Sequence, residues 1–439
     1  MLRSLSVINT KASKYIPIYI SKQTFLTNDY YCNEAWKEQA KSSLMENLNL
    51  NDFYNVLDQK YTTKGTISSV DVDIFANAIK DPIYLDELRD LLHKLRLSAE
   101  TGTMLESTHQ ATIRNYLKFG NIQELINILK DPLNYGLFLD NYTANILLNE
   151  LITSSNIDLA ANVASLVMLQ EEYNNEITCG LCQYACFKYV MGYTKPQKPA
   201  IVEDKKKKVE EIKIRIKFLR NPYFDDHFDI QDLYTLSGKT LTWISERSSD
   251  NLNINLQMIG LLSYRKYEKL LKLCMHHAST STLTLFSEVL DLIKKDINNV
   301  DDDSKEILTN ILSVLTKFSQ TNASLEESIK TMIENAINRN QNKDIEKQNQ
   351  LFQVWSITRQ QRLDEQTERL NRAKRLEDIN RSQEQLKIEE QKLWFFDNED
   401  NIDLVIEEKE QRNTNTSKTK SIHKADEDYI PPEILPKRK

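Results

Sequence analysis

A 35-residue period in the first half of the chain constrains its fold more than any other feature. Segments beginning at Thr108, Thr143 and Thr178 align at that offset, and the turn Gly120-Asn121-Ile122 recurs as Ser155-Asn156-Ile157. Apolar positions fall on apolar positions: Ile113 on Leu148, Leu117 on Ile152, Leu125 on Ala160, Ile128 on Val163 and Leu129 on Ala164. A shared period with a shared burial pattern marks stacked units. Each is a helix, a short turn and a second helix, burying its apolar face only against its neighbours. An earlier unit fits Val72 to Leu97, with its turn at Asp81-Pro82 and an amphipathic run through Leu85, Leu88, Leu91, Leu92 and Leu95.

Breakers are scarce. The 439 residues hold 8 Gly and 9 Pro, and none of either lies between Gly260 and Pro431. Sheets and phosphate loops need glycine at tight turns, so the expected class is all-α: a helical-hairpin repeat solenoid over 66–192, then a second helical block and a long C-terminal helix. Pro196 and Pro199 are expected to end the array, and 193–222, with Lys205 to Lys208 among acids, reads as a charged linker. Apolar spacing through Leu256, Ile259 and Leu262, then Leu283, Phe286 and Leu290, then Leu308, Ile311 and Leu315 predicts ordinary amphipathic helices across 223–340. Residues 341–396, rich in Gln, Arg and Glu, read as one long helix, ~80 Å at ~1.5 Å per residue. Its Leu363, Leu370, Leu386 and Leu393 form a poor coiled-coil seam, and 397–439 reads as a disordered tail.

Residues 1–28 contain Arg3, Lys11, Lys14 and Lys22 and several serines, with no acid. This is the composition of a mitochondrial transit peptide, with a basic start to a cytosolic chain as the competing reading; residues 29–65 would form an N-terminal arm. No apolar run reaches membrane-spanning length. The net charge of −7 argues against a chain whose whole surface neutralises phosphates, so any RNA contact must be local. Five cysteines do not make a secreted disulfide scaffold.

The period, with Thr143-x-Asn145 opening a first helix, resembles the pentatricopeptide repeat. The block Tyr135-Gly136-x-Phe138-x-Asp140-Asn141-Tyr142-Thr143-x-Asn145-x-Leu147-Leu148, continuing to the MLQEE stretch at 168–172, resembles the family of mitochondrial small-subunit ribosomal protein twenty-seven. Further matches are Ala35-Trp36-Lys37, the LRNPYFDDHF stretch at 219–228, Ser237-Gly238-Lys239-Thr240-Leu241 and the Gln-rich helix containing Trp355. The resemblance implies a non-enzymatic component of the mitochondrial ribosome in the matrix, supporting translation without cofactor or small-molecule substrate. Its partners would be small-subunit ribosomal proteins and small-subunit rRNA. Two rivals remain: a free pentatricopeptide factor acting on mitochondrial transcripts, and a coiled-coil scaffold outside the ribosome.

Several constellations invite chemistry. Cys179, Cys182 and Cys186 have metal-ligand spacing, but at the repeat offset they fall on Ala144, Leu147 and Leu151, which makes them small core residues. Ser237-Gly238-Lys239-Thr240 ends like a phosphate loop, yet the required earlier glycine is Leu233. Asp225, Asp226, His227 and Asp229 read as a helix start. No catalytic set emerges. If the array read bases as pentatricopeptide proteins do, the pairs would be Gln110 with Asp140 and Asn145 with Asn175. Against this, the third unit carries Gly180 at the reading position, and Asp140 to Thr178 has no Lys or Arg. The phosphate candidates are Arg89, Lys94 and Arg96, then Arg114 and Lys118, and on the long helix Arg359, Arg362, Arg369, Arg372, Lys374 and Arg375. For each of these, a solvated helix face balanced by acids is the competing reading.

Overall fold

The computed structural model describes residues 24–194, 230–280, 283–297, 302–321 and 323–419. Most of the expected leader, the linker with Lys205 to Lys208, the LRNPYFDDHF stretch, the group from Asp225 to Asp229 and residues beyond 419 lie outside them. Two compact units divide the chain at residue 360.

The first unit opens with an arm of short helices, α1 (Asn33–Ala40) and α2 (Ser43–Glu46), and with α3 (Leu50–Lys64). Hairpins follow: α4 (Ser69–Ala78) with α5 (Leu85–Leu97), α6 (Glu106–Phe119) with α7 (Ile122–Leu129), and, after the short α8 (Pro132–Tyr135), α9 (Asn141–Thr153) with α10 (Ile157–Leu169). The period has a local cause. Asp140 and Asn175 cap successive first helices, their side chains accepting from the amides of Thr143 and of Ile177 and Thr178, which satisfies donors the helix itself leaves free. At the matching turns Gly120 (φ 82°) and Ser155 (φ 60°) both adopt the left-handed conformation, so the chain reverses alike in both units.

The array does not end at Pro196. Helix α11 (Glu176–Gly192) pairs with α12 (Leu233–Ser245), so the charged linker is an insertion between the two helices of one hairpin. Beyond it α13 (Asn251–Ser263) pairs with α14 (Tyr267–Thr280), and α15 (Ser287–Ile297) with α16 (Asp302–Leu315). First helices pack on first helices from α4 through α6, α9, α11 and α13 to α15. The expected second helical block is present, and its first helices stack on those of the array. Prolines at 196 and 199 end a helix but cannot stop the next one from docking. One feature departs from pure α: Thr284–Phe286 (β1) and Ser319–Thr321 (β2) form a short parallel ladder.

The Ser-Gly-Lys-Thr stretch lies inside α12, not in a loop. A Cβ on Gly238 would sit 2.7 Å from Ser263 Cβ, and one on Gly260 2.5 Å from Thr242 Oγ1. Two glycines therefore let α12 and α13 touch backbone to backbone. Lys239 is buried with Nζ over the Trp243 ring.

Helix α17 runs from Leu325 to Asp397, beginning well before the expected start. In the second unit its side chains from 361 on are mostly exposed, and α18 (Glu399–Thr419) occupies much of the segment expected to be disordered. The stretch holds no Gly or Pro, so nothing in it breaks a helix.

The glycine contact makes a prediction. Gly238→Ala is expected to destabilise the protein by about 1–3 kcal/mol through overpacking, whereas Gly102→Ala, which would meet nothing within 4 Å, should leave thermal unfolding unchanged.

Candidate RNA and protein interfaces

The face where a repeat protein would read RNA is filled from within. The N-terminal half of α17 lies across the first helices and passes backwards along the array. Glu326 accepts from Tyr184 Oη (3.1 Å) and Lys188 Nζ (2.8 Å) on α11. Ile333 packs on Gly180, where an added Cβ would stand 3.0 Å from its Cγ1. Asn340 Nδ2 donates to Glu176 (3.0 Å), Gln348 Nε2 to Gln110 Oε1 on α6 (3.1 Å), and Trp355 Nε1 to Glu106 (3.4 Å). The run closes on α4, where Arg359 Nε donates to Asp73 Oδ2 at 2.6 Å in a buried ion pair. Asp73 Oδ1 also accepts from Ser107 Oγ (2.5 Å) and Thr108 Oγ1 (2.9 Å), so the carboxylate keeps donors in place of water.

The N-terminal arm docks on the same first helices. Leu26 is buried, and the amides of Phe25 and Leu26 donate to Asn149 Oδ1 (3.0 and 3.3 Å), so the end of the expected leader, 24–28, belongs to the folded body. Leu26 is buried and Phe25 half-buried against the core, which composition alone could not reveal. Tyr142 Oη donates to Tyr30 O (2.6 Å), and Asn145 Nδ2 to Tyr30 Oη (2.8 Å). Tyr30 Oη in turn donates to Asp344 on α17 (3.2 Å), which also accepts from Asn175 Nδ2 (3.0 Å).

These contacts place the base-reading candidates. Gln110 and Asn145 are buried and bonded to Gln348 and Tyr30; Asp140 and Asn175 cap helices. Their polarity serves the interior. Residue type and spacing are the same for a base-reading amide and for one that binds the chain's own tyrosine, so sequence could not separate them.

The basic candidates divide by environment. Arg89 pairs with Glu124 (2.5 Å) and Asp86 (3.3 Å), and Lys94 with Asp58 (2.6 Å) and Asp90. Their carboxylate partners raise the Lys94 pKa above its usual value, against the effect of burial. Arg96 donates to Leu133 O (3.1 Å) and Thr101 Oγ1 (3.3 Å). Arg359 is consumed by Asp73. In the second unit Arg362 and Arg369 lie beside Glu365 (3.4 and 4.0 Å), Arg375 donates to Asn371 O (3.3 Å), and Arg372 and Lys374 are exposed. Arg114 donates to Tyr31 O (2.6 Å) and Tyr142 Oη (3.0 Å) with its guanidinium 4.9 Å from the Trp36 ring centre. It has no carboxylate in ion-pair range among the described residues, and burial lowers its pKa. Lys118 is exposed at the end of α6.

Between the array and α17 lies a cavity of about 700 Å³ lined by Glu106, Asp140, Glu172 and Asp344, with Lys347 as the single lysine. His109 borders it. Its Nδ1 accepts from Phe138 N (3.2 Å), and burial pushes its pKa down to about 4, so the imidazole adds no positive charge at neutral pH. Cys182 and Cys186 are core residues and Cys179 is half-buried beside them; burial drives the thiol pKa values of the first two far up and that of Cys179 to about 11. Among the described residues no group of three or more His, Cys, Asp or Glu side chains is gathered as metal ligands.

An α-hairpin solenoid whose first helices are covered by its own long helix and N-terminal arm, with an acidic cavity beside that helix, defines a helical-repeat protein. The family model for Mitochondrial 28S ribosomal protein S27 matches residues 1–385. The chain belongs to that family and is a protein of the mitochondrial small ribosomal subunit, located in the matrix. The Tyr135 to Leu148 block that resembled this family supplies the interior: Tyr142 and Asn145 grip the arm, and Gly136, at φ 64°, turns the chain against Arg96. The last turns of α17 and all of α18 lie beyond the matched residues.

Two predictions follow from this geometry. Arg359→Leu leaves the buried Asp73 carboxylate without its counter-charge and is expected to cost about 3–5 kcal/mol; adding Asp73→Asn should restore part of it in a double-mutant cycle read by urea unfolding. His109 has a folded pKa near 4 against 6.5 when unfolded, so between those values the unfolded chain binds more protons and stability falls as pH drops. Replacing His109 with Gln should flatten that part of the stability–pH curve.

Proposed function

We propose that the protein is a structural, non-catalytic part of the small subunit that supports mitochondrial translation by docking ribosomal proteins and small-subunit rRNA on preformed surfaces. The occupied face carries this reading. A free transcript-binding factor needs its first helices open to bases, whereas here Gln110 and Asn145 bond to α17 and the arm. Opening that face would expose apolar side chains such as Ile333 and Phe352 and unpair the Asp73–Arg359 ions. The outer edges are left for partners. The four-acid cavity beside α17 suits a basic protein segment, and the exposed arginines of the second unit suit phosphates. The basic, acid-free start of the chain acts as the targeting leader.

The coiled-coil scaffold has less support, since Leu363, Leu370, Leu386 and Leu393 do not make one continuous seam.

Sedimenting a lysate of mitochondria that express the tagged full chain tests the proposal. Co-migration with the small subunit at moderate salt is the expected result. A light peak that persists after ribosomes are recovered intact would reject it.

A further inference from the structure

The two cavities beside the array are of opposite sign. The second, about 640 Å³, lies where the arm crosses the hairpin turns. Lys37 comes from the arm, Lys80 from the α4–α5 turn, and Arg114 and Lys118 from α6, against one acid, Glu150. Glu150 is already engaged, accepting from Tyr31 Oη at 2.7 Å. Lys37, Lys80 and Lys118 are exposed and form no ion pair among the described residues. That sets them apart from Arg89, Lys94 and Arg359, whose charges are neutralised within the chain.

Arg114 adds a second, independent sign. Its guanidinium is largely taken out of water, yet it is held by a carbonyl, a phenol and aromatic faces instead of a carboxylate. A cation in such a setting gains from an anion brought to the open side of the cavity. Asn156, before the first turn of α10, lines the same space, and no side chain caps that turn.

Leu117, Ile122 and Ile146 give the lining an apolar part, and the Trp36 and Tyr31 rings line it as well. Lysines on three separate elements around a pocket with apolar and aromatic lining match a nucleotide, with a base stacked among the rings and flanking phosphates outside. An acidic peptide could use the same lysines, and cross-links in intact ribosomes separate the two.

We propose that this cavity is an RNA site, taking an unstacked nucleotide of the small-subunit rRNA, with Lys37, Lys80 and Lys118 on the neighbouring phosphates and Arg114 as the fixed charge behind them. The assignment rests on the ribosomal reading above and gives it a location.

The test uses the purified full chain and an in vitro transcript of the small-subunit rRNA. The Lys37→Gln/Lys80→Gln/Lys118→Gln protein is compared with a Lys64→Gln/Lys269→Gln/Lys272→Gln control, which removes equal charge from exposed sites elsewhere. Thermal unfolding first confirms that both variants fold like the wild type. The site variant is expected to bind about tenfold more weakly, with a log affinity–log salt slope shallower by about 2, while the control matches the wild type. Equal loss in both variants, or none in the site variant, would overturn the site. So would cross-links from peptides 31–37 or 114–118 that lead to a protein instead of a nucleotide in intact ribosomes. If the wild type still sediments with the small subunit in those cases, only the site falls; if it does not, the functional reading falls too.

Discussion

The buried pair between Asp73 on the first hairpin and Arg359 on the long helix closes the structure. A buried cation and carboxylate are tolerated only when each finds its partner with good geometry. Asn77, Ser107, Thr108 and Arg359 donate to the carboxylate. Because the two residues stand 286 positions apart, their union fixes the path of everything between them. Helix α17 must retrace the array from α11 to α4 for Arg359 to arrive. The contacts on the way, from Glu326 through Ile333 and Gln348 to Trp355, follow from that path.

This closure changes what a repeat array does. Open solenoids offer a long inner surface to a flexible ligand. Here the inner surface is spent on the chain's own helix and arm, and charge is sorted into an acidic cavity beside α17 and a basic one beside the arm. Neither cavity has to be built upon binding. Preformed surfaces of this kind lower the ordering cost of the docking proposed above.

Much of the fold was legible because the repeat is written in local chemistry. The caps Asp140 and Asn175, the left-handed turns at Gly120 and Ser155 and the absence of breakers after Gly260 all act within a few residues. What sequence could not show was long-range. Nothing near Pro196 reveals that α12 returns to complete the hairpin of α11, because that pairing depends on apolar faces separated by the linker. Gly238 and Gly260 read as a damaged phosphate motif and a stray glycine; only the helix crossing joins them. For the sites the same rule held. Arg114 and Lys118 stood out as cations, but their separation from Arg89, Lys94 and Arg359 depends on which acids lie nearby in space. Lys37 and Lys80, absent from the sequence candidates, carried no local signal beyond their charge; their convergence requires the arm to be folded down.

Hydrogen exchange along α17 in the isolated protein tests the closed array most directly. Amides of residues 325–360 should be protected together with those of α6 and α9, while amides of 361–397, on an exposed helix, should exchange much faster. Uniformly rapid exchange along the whole helix, with α6 and α9 still protected, would show that the recognition face stands open and would contradict the account.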